Sequence, residues 1–200
     1  MKQPHWAAGG AVNAITKTMK ILQAFDELND DWRERPDKQH GLLPPDIIVP
    51  SVLHGGDYWE RYPEKVELTF SASFIGTKGN IGEIERKIRL VSENDPWLRE
   101  HPPEIEYVWT YGAEIAGEEE IVQTALQAGQ ALGLNPQLAG MGSQTDAIHL
   151  INHAHVPTIS IGPDDYTAHM ANEFVEIEQL VNTAKILAIT VMRWCGYTEN

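Results

Sequence analysis

A glycine-bearing turn in the last third of the chain has the residue types of a ligand-binding loop. It is the run Gly142-Ser143-Gln144-Thr145-Asp146, which follows a predicted strand and enters a predicted helix. Small residues let backbone N–H groups approach a ligand, and the start of a helix attracts an anion such as a carboxylate. The same spacing is typical of an ordinary strand-to-helix turn capped by Thr145 or Asp146. Spacing alone favours the capping interpretation.

A second loop, Gly162 to His169, follows the next predicted strand. In an open α/β sheet, ligands bind beyond the carboxyl ends of the strands, so an imidazole on this loop is well placed for a site. A neutral imidazole is also a ligand for zinc. A solvated or hydrogen-bonded histidine is the commoner explanation for a lone loop His, and the loop by itself does not decide between them.

Three further histidines, His149, His153 and His155, lie close together in the sequence. His149 and His153 are four residues apart and share a helical face, as the paired ligands of zinc proteases do. That motif has Glu directly after its first His, whereas Leu150 stands here. We therefore favour structural histidines, with a zinc-binding domain built on the three as the weakest alternative. The acidic run Glu118 to Glu120 is explained by the start of a helix, where the macrodipole favours carboxylates.

The first 112 residues predict the element order α-β-β-α-β, a small open-faced α+β sandwich that lacks one leading strand. The opening helix precedes a loop over residues 29–45, strands are predicted over 46–53, 66–75 and 105–111, and Asn80 is a candidate cap for the second helix. The buried side of the first helix is expected to carry Val12, Ile15, Met19, Leu22 and Phe25. The stripe of the second helix is Ile81, Ile84, Ile88 and Val91.

The remaining residues predict a second, α/β arrangement. A boundary falls near residues 112–117, and Gly133 closes the helix that follows. Strands are expected over 137–141 and 158–161, with a short helix from Asp146 between them. The last helix is expected to run from about Glu173 to Trp194.

Composition restricts the function classes. Fifteen Lys and Arg against 29 Asp and Glu give a formal charge of −14, so binding to nucleic acid or to an anionic membrane surface is not expected. Cys195 is the only cysteine, which excludes an internal disulfide and favours a reducing compartment. The amino terminus has no signal-peptide pattern, and no apolar run is long enough to span a bilayer. We expect a cytoplasmic protein.

The stretch from Gly142 to Cys195 resembles the carboxyl-terminal end of one enzyme family. This is the zinc-dependent amidohydrolase and metallopeptidase family of acetylornithine deacetylase, succinyl-diaminopimelate desuccinylase, aminoacylase and carboxypeptidase G. The matching pieces are Thr145-Asp146-Ala147, Val156-Pro157-Thr158 before Gly162-Pro163, and Ala168-His169 before Asn172-Glu173-Phe174-Val175. Upstream, Asn94-Asp95-Pro96-Trp97-Leu98 and Val12-Asn13-Ala14-Ile15 are similar to the family's deacetylase branch and to the opening helix of its small lid domain.

The resemblance implies a fold and a function for each part of the chain. Residues 1–113 would be an α+β lid domain that forms dimers, without its leading strand, and residues 114–200 the carboxyl-terminal part of an α/β catalytic domain. Family enzymes hold two zinc ions with a bridging water on which a Glu acts as general base. His169 matches the last metal ligand, with zinc, cobalt or manganese as the implied metal. His5 is the candidate oxyanion stabiliser, and Gly142, Ser143, Thr145 and Asp146 would lie beside the substrate.

Several parts of the family's site are missing from this sequence. No histidine is followed two residues later by Asp, the pattern that binds the first zinc. The bridging Asp and the Glu pair that carries the general base belong to the same missing half, and one His cannot hold two metals. We therefore expect a fragment or subunit of an amide hydrolase acting on N-acyl amino acids or small peptides, and we expect it to be inactive alone.

Two partners are consistent with this expectation. One is a complementing amino-terminal catalytic half, and the other is a second copy of the chain bound through the lid domain. The alternative to a hydrolase subunit is a non-catalytic dimerisation or regulatory module that kept the lid and lost catalysis.

Overall fold

The computed structural model describes residues 10–73, 81–108, 112–164 and 166–198. The chain divides into two units, Met1–Gly112 and Ala113–Asn200. The candidate oxyanion residue His5 and the candidate cap Asn80 lie outside the described residues. Within the described ranges, no helix combines the length and the apolar character needed to cross a membrane.

Helix α1 spans Ala14–Glu34 and is longer than the sequence pattern indicates. Its start is fixed by Asn13, whose side-chain oxygen accepts hydrogen bonds from the backbone N–H groups of Ile15 and Thr16. The predicted loop from Asn29 onward is wrong for its first six residues, because the helix continues to Glu34. The chain then forms a short 3-10 helix, Pro36–Lys38.

The buried side of α1 differs from the predicted one. Phe25 is buried as predicted, but Met19 is 61% exposed. The buried apolar residues lie on one side of the helix and come from its last two-thirds: Ile21, Ala24, Phe25, Leu28 and Trp32. The prediction followed the apolar residues of the first turns, which lie beyond the part of the helix that packs into the core.

Asn29 lies inside α1, although asparagine is uncommon in the interior of helices, and its hydrogen bonds give the reason. Its side-chain nitrogen donates to the carbonyl of Ile48 at 2.8 Å, and its side-chain oxygen accepts from the N–H of Ile48 at 2.7 Å. The side chain is buried, and both of these hydrogen bonds are made away from water, so both backbone groups of Ile48 are satisfied. The amide thus replaces the partner that a neighbouring strand would offer at Ile48, and it fixes α1 against the sheet.

Two antiparallel strands form the sheet of the first unit. Strand β1 spans Ile47–Gly55 and strand β2 spans Val66–Ser73, with a bulge at Ser51, where the register shifts between Pro50 and Val52. The predicted alternation in β2 is confirmed, because Leu68, Phe70 and Ala72 pack against the core while the residues between them do not. The rings of Phe25 and Phe70 lie 4.8 Å apart.

Helix α2 spans Ile81–Glu93 and completes the core of the first unit. Its predicted stripe is confirmed at Ile84 and Ile88, which are both buried. The predicted strand over 105–111 is not formed in its described part, residues 105–108, although Ile105 packs against the core. A strand needs a neighbour for its ladder, and the sheet of the described residues contains only β1 and β2.

The second unit begins with helix α3, Glu120–Ala131, which packs against the last helix. Its buried side is small and apolar, with Val122, Ala125 and Ala128. Gly133 ends it as predicted: its φ of +74° suits glycine, and the N–H of Leu134 returns to the carbonyl of Gly129 at 3.1 Å. A Cβ added at Gly129 would lie 2.9 Å from the Cγ of Pro136, so glycine allows the following segment to approach closely.

The predicted bounds of two helices in the second unit differ from the observed ones. Helix α4 spans Ala147–Asn152, and helix α5 spans Ile177–Cys195, four residues later than the predicted start at Glu173. The delay has a local cause. The hydroxyl of Thr167 accepts from the N–H of Phe174 at 3.2 Å and donates to its carbonyl at 2.8 Å, which holds Phe174 in the loop.

The predicted α/β sheet of the second unit is absent from the described residues. Residues 137–141 and 158–161 are not assigned to strands. The second run is rich in β-branched residues, whereas the first, Gln137 to Met141, has none. A strand also forms only where a neighbouring strand completes the hydrogen-bond ladder. The outcome is a mixed helix and strand fold whose one sheet, in the described ranges, belongs to the first unit.

Candidate functional site

The loop that carries His169 is tied to the start of α5. Besides the double hydrogen bond between Thr167 and Phe174, the N–H of Asp164 donates to the side-chain oxygen of Gln179 at 3.1 Å. The Gln179 amide donates in turn to the Asp164 carboxylate at 2.9 Å. The ring of Phe174 meets that of Tyr166 edge-on at 5.8 Å. These hydrogen bonds and the ring contact fix both ends of the loop around its exposed tip.

His169 stands at this tip in an unusual backbone conformation. Its φ is +64°, a region that residues other than glycine rarely adopt. Its N–H donates to the Glu173 carboxylate at 3.3 Å, which helps to hold the turn. The side chain is exposed. Backbone strain at a surface loop is a reason to look for function. At this position the strained backbone presents an imidazole to solvent, on a loop that hydrogen bonds hold in place.

A single imidazole does not make a metal centre. Zinc sites use three or four protein ligands, and no group of three or more His, Cys, Asp or Glu that could hold a metal ion occurs among the described residues. The role of His169 as one metal ligand therefore stays a prediction, and the described part of the chain does not fit a complete zinc, cobalt or manganese site. No reaction step can be assigned to a metal on this chain alone.

The turn before α4 is built around Thr145. Its hydroxyl oxygen accepts from the N–H of Ala147 at 3.2 Å, and its carbonyl accepts from the N–H of Ile148 at 3.1 Å. Asp146 occupies the cap position without a side-chain capping bond. Of the two capping candidates, Thr145 is the one that acts. Gly142 and Ser143 are exposed, and a substrate role for Gly142, Ser143, Thr145 and Asp146 stays a prediction.

The other histidines of the second unit lie at the end of α4. The rings of His149 and His153 stack with centroids 5.8 Å apart and an angle of 17° between their planes. His155 has a φ of +55° and occupies the left-handed position that ends the helix, where the N–H of Val156 reaches the carbonyl of Leu150 at 3.0 Å. The three do not form a metal-binding group in the described chain, so the zinc-domain alternative gains no support.

The first unit contains a buried carboxylate, Asp95, whose hydrogen bonds and ion pairs are not predictable from the local sequence. Asp95 is 2% exposed and accepts hydrogen bonds from the ammonium groups of Lys17 and Lys20 at 2.7–2.8 Å and from the N–H groups of Trp97 and Leu98. Lys17, Lys20 and these backbone donors hold the pKa of Asp95 well below its usual range. The lysines lie almost eighty residues away in sequence, so local spacing gives no signal for this contact.

A second carboxylate, Glu83 on α2, connects that helix to α1 and to the short 3-10 helix. It accepts from the indole of Trp32 at 3.0 Å, from Arg35 at 2.7 Å and from Lys38 at 2.8 Å. Burial opposes its ionisation, but the bonds from Arg35, Lys38 and Trp32 outweigh this and lower the pKa of Glu83 to about 2. Lys38 is itself buried and lies 3.5 Å from Asp46. These charged groups have a structural explanation, because they connect elements of the first unit.

Two curated relatives match nearly all of the chain. The N-formyl-4-amino-5-aminomethyl-2-methylpyrimidine deformylase of Halalkalibacterium halodurans is 27% identical over 207 residues, which cover 94% of this chain and 48% of the deformylase. The deformylase of the same name from Bacillus subtilis is 29% identical over 213 residues, and this match covers 95% of this chain and 48% of that deformylase. The chain thus spans about half the length of the curated relatives it matches.

A solved structure and a family model extend the comparison. The crystal structure of aminopeptidase PepT from Bacillus cereus ATCC 10987 is similar with a TM-score of 0.55 and 19% identity, over 90% of this chain and 45% of that one, a likeness of fold. The model of peptidase family M20/M25/M40 matches residues 4–193. This match confirms the family that the carboxyl-terminal motifs indicate. The chain belongs to peptidase family M20/M25/M40.

Proposed function

We propose that this chain is one part of a metal-dependent amide hydrolase, to which it contributes a metal ligand, His169, and the turn from Gly142 to Asp146 beside the substrate. The observation that carries the proposal is a loop, fixed by hydrogen bonds at Thr167 and Asp164, that presents one exposed imidazole in a member of this family, while no group of three or more metal-ligating residues occurs in the described ranges. One ligand in place, with the others absent from the described chain, is what a partial site requires.

The reaction is the addition of water across an amide bond, which releases a carboxylate and an amine. The substrates proposed from the motifs are N-acyl amino acids or small peptides, with acetylornithine deacetylase as the model. Support for the acyl-amide class comes from the relatives, since their name describes removal of a formyl group from an N-formyl compound. The acyl group and the amine are open within this class.

The first unit is proposed as the lid and dimerisation domain and the second as the carboxyl-terminal part of the catalytic domain. The core of the first unit, in which α1 packs on the sheet and α2 packs against α1, supports the first assignment. The second is supported by a helix, α5, whose only buried residue is Thr190. A helix with so many exposed apolar side chains needs cover.

The complementing partner would therefore be a polypeptide that supplies both ligands and cover. It would carry the His-x-Asp and Glu-Glu motifs and strands to pair with residues 137–141 and 158–161. Half-length coverage of the deformylases supports a partner of about the size of this chain.

Complementation tests the proposal. The chain alone, supplied with zinc and an N-acetyl or N-formyl substrate, is expected to show no turnover. The same chain co-expressed with the complementary half of the Bacillus subtilis deformylase is expected to co-purify with it and to hold metal. Metal content is the decisive readout, because His169→Ala should lower it, whereas His155→Asn, a second left-handed histidine of the same unit, should not.

Two results would contradict the proposal. Turnover by the chain alone would show that its own residues complete a site. An unchanged metal content after His169→Ala, in a complex that still assembles, would remove His169 from the ligand set.

A non-catalytic dimerisation module is the second candidate function, favoured by one observation. Strand β1 exposes the apolar side chains of Val49, Val52 and Leu53, and one of its edges is not paired with a strand in the described residues. Such an edge can pair with a second copy of the chain. Light scattering after size exclusion tests this: Val52→Lys should disrupt a dimer, whereas Thr69→Lys, directly opposite on β2, should disturb it less. A monomer at micromolar concentration argues against this function.

A further inference from the structure

Two pairs of residues close the loop around His169 one inside the other. The outer pair is Asp164 and Gln179, which are joined by two hydrogen bonds. The inner pair is Thr167 and Phe174, joined by two more at 2.8 and 3.2 Å. Residues 166–176 belong to no helix or strand. The conformation of this part of the loop therefore depends on side-chain hydrogen bonds and not on regular secondary structure.

The inner pair encloses a strained segment. His169 has a φ of +64° and Asn172 a φ of +62°, and both lie between Thr167 and Phe174 in the sequence. The N–H of Met170 donates to the carbonyl of Thr167 at 3.0 Å, which makes His169 the third residue of a turn. A positive φ at that position favours glycine, because a side chain there is crowded by its own backbone. Other contacts must hold His169 in this conformation.

The hydroxyl of Thr167 is the best placed of these contacts. It is half-buried, and it engages both the N–H and the carbonyl of Phe174, as a neighbouring strand would. The bond from the N–H of His169 to the carboxylate of Glu173 is single and longer, at 3.3 Å. Without the hydroxyl, the two ends of the strained segment would lose their direct connection.

We propose that Thr167 is a positioning residue for His169: its hydroxyl holds the segment in the strained conformation and fixes the direction of the imidazole before any partner binds. The use of this imidazole in a hydrolase rests on the proposed function, whereas the conformation of the loop is a property of the chain alone. Groups that orient a metal ligand from behind typically change metal affinity by about 10–100-fold.

The first test uses the chain alone and nuclear magnetic resonance. Thr167→Val removes the hydroxyl and keeps the shape, Thr167→Ser keeps the hydroxyl, and circular dichroism checks that each variant is folded. A strong nuclear Overhauser effect between the amide and α protons of His169 marks its positive φ. Thr167→Val should weaken this signal and speed amide exchange at Phe174 about tenfold, because the hydrogen bond is lost. Thr167→Ser should restore both. His155, with a φ of +55° outside the loop, should keep its signal in every variant.

The second test uses the complex with the complementary half of the Bacillus subtilis deformylase. Zinc affinity, measured against a competing chelator, should fall about tenfold in Thr167→Val and return to within about twofold in Thr167→Ser. Thr198→Val, which changes an exposed threonine beyond α5, is the matched control and should bind zinc as the unsubstituted complex does.

The two tests separate this proposal from the proposed function. An unchanged signal at His169 and unchanged exchange at Phe174 in Thr167→Val would overturn the positioning role. Unchanged zinc affinity in Thr167→Val, or a loss that Thr167→Ser does not restore, would do the same. An unsubstituted complex that holds no zinc would contradict the proposed function instead, and the measurement on the chain alone would still decide whether Thr167 positions His169.

Discussion

The two units of the chain bury their apolar side chains to very different extents. In the first unit, Phe25 and Trp32 are fully buried and Ile48 and Ile84 are each 1% exposed. In the second unit, the last helix α5 buries one residue, Thr190, and leaves Ile177 79% exposed. Both units contain long helices with apolar faces, so the contrast depends on what packs against those faces.

Polar groups show the same contrast. In the first unit, the buried polar side chains Asn29 and Asp95 have hydrogen-bond partners on other elements. In the second, the hydroxyl of Thr190 is buried without a hydrogen-bond partner in the described residues. A satisfied interior is typical of a complete folding unit. The difference is that the first unit pairs these buried polar groups within itself, whereas α5 of the second unit leaves most of its apolar side chains exposed and one buried hydroxyl unpaired in the described residues.

The largest expected effect compares two tryptophans. Trp32→Ala should destabilise the first unit by about 3–5 kcal/mol, because it removes a fully buried ring and leaves a cavity. Trp194→Ala, on α5, removes a ring that is 50% exposed and should change stability by less than about 1 kcal/mol. Urea unfolding monitored by circular dichroism measures both. Equal losses would mean that the cores of the two units do not differ in the way described.

Asn29→Ala should have the next largest effect. Removal of the amide leaves the N–H and carbonyl of Ile48 without their helix partner, and each buried unsatisfied group costs about 1–3 kcal/mol. Asn94→Ala is the matched control, because Asn94 is exposed at the end of α2. A loss for Asn29→Ala no greater than that of the control would show that α1 is not fixed to β1 through this side chain.

Gly129→Ala tests a close contact within the second unit. The added Cβ would lie 2.9 Å from Pro136, and such overpacking costs about 1–3 kcal/mol. Gly142→Ala should be close to neutral, since nothing lies within 4 Å of the added atom. Thermal unfolding of both variants measures the difference. If Gly129→Ala is also neutral, α3 and the segment after it are not held together as the structure shows.

The smallest expected effect is a pH dependence confined to the first unit. The pKa of Glu83 is about 2, below its ordinary value of 4.5. A carboxyl group whose pKa is lowered by folding stabilises the folded state above the ordinary value, and this contribution is lost as pH falls from 4.5 towards 2. Asp95, with its lowered pKa, acts in the same direction. The urea midpoint should therefore fall over this range.

Glu83→Gln supplies the control for the pH experiment. The amide cannot titrate, so the variant should be less stable at neutral pH and its urea midpoint should fall less steeply with acid. An identical slope in both proteins would assign the pH dependence to other carboxyl groups.

Local sequence pattern predicted the elements that depend mainly on neighbouring residues. The stripe of Ile84 and Ile88, the alternation of β2 and the stop at Gly133 are confirmed. Each depends on periodicity or on backbone conformation within a few residues. The family was also identifiable, because the loop around His169 and the run from Thr145 to Ala147 keep their order and spacing.

Predictions that needed distant partners were wrong or incomplete. Asn29 was assigned to a loop because its helical role depends on Ile48, and residues 137–141 and 158–161 were assigned to strands because their pattern does not show whether neighbouring strands are present. The delayed start of α5 depends on Thr167, which lies ten residues before it. The partners of Asp95 are far away in sequence. The roles of His5 and of the turn at Gly142 stay predictions.

Hydrogen exchange of the full chain, followed by mass spectrometry, tests the central contrast most directly. The account predicts strong protection of amides in the buried part of α1, around Phe25 and Trp32, and much weaker protection along α5, because opening is easier where few apolar contacts are buried. Addition of the complementary half of a relative should then raise protection in α5 and in residues 155–161, with little change in α1. Equal protection of α1 and α5 in the chain alone would contradict the account, since the second unit would then be as complete as the first.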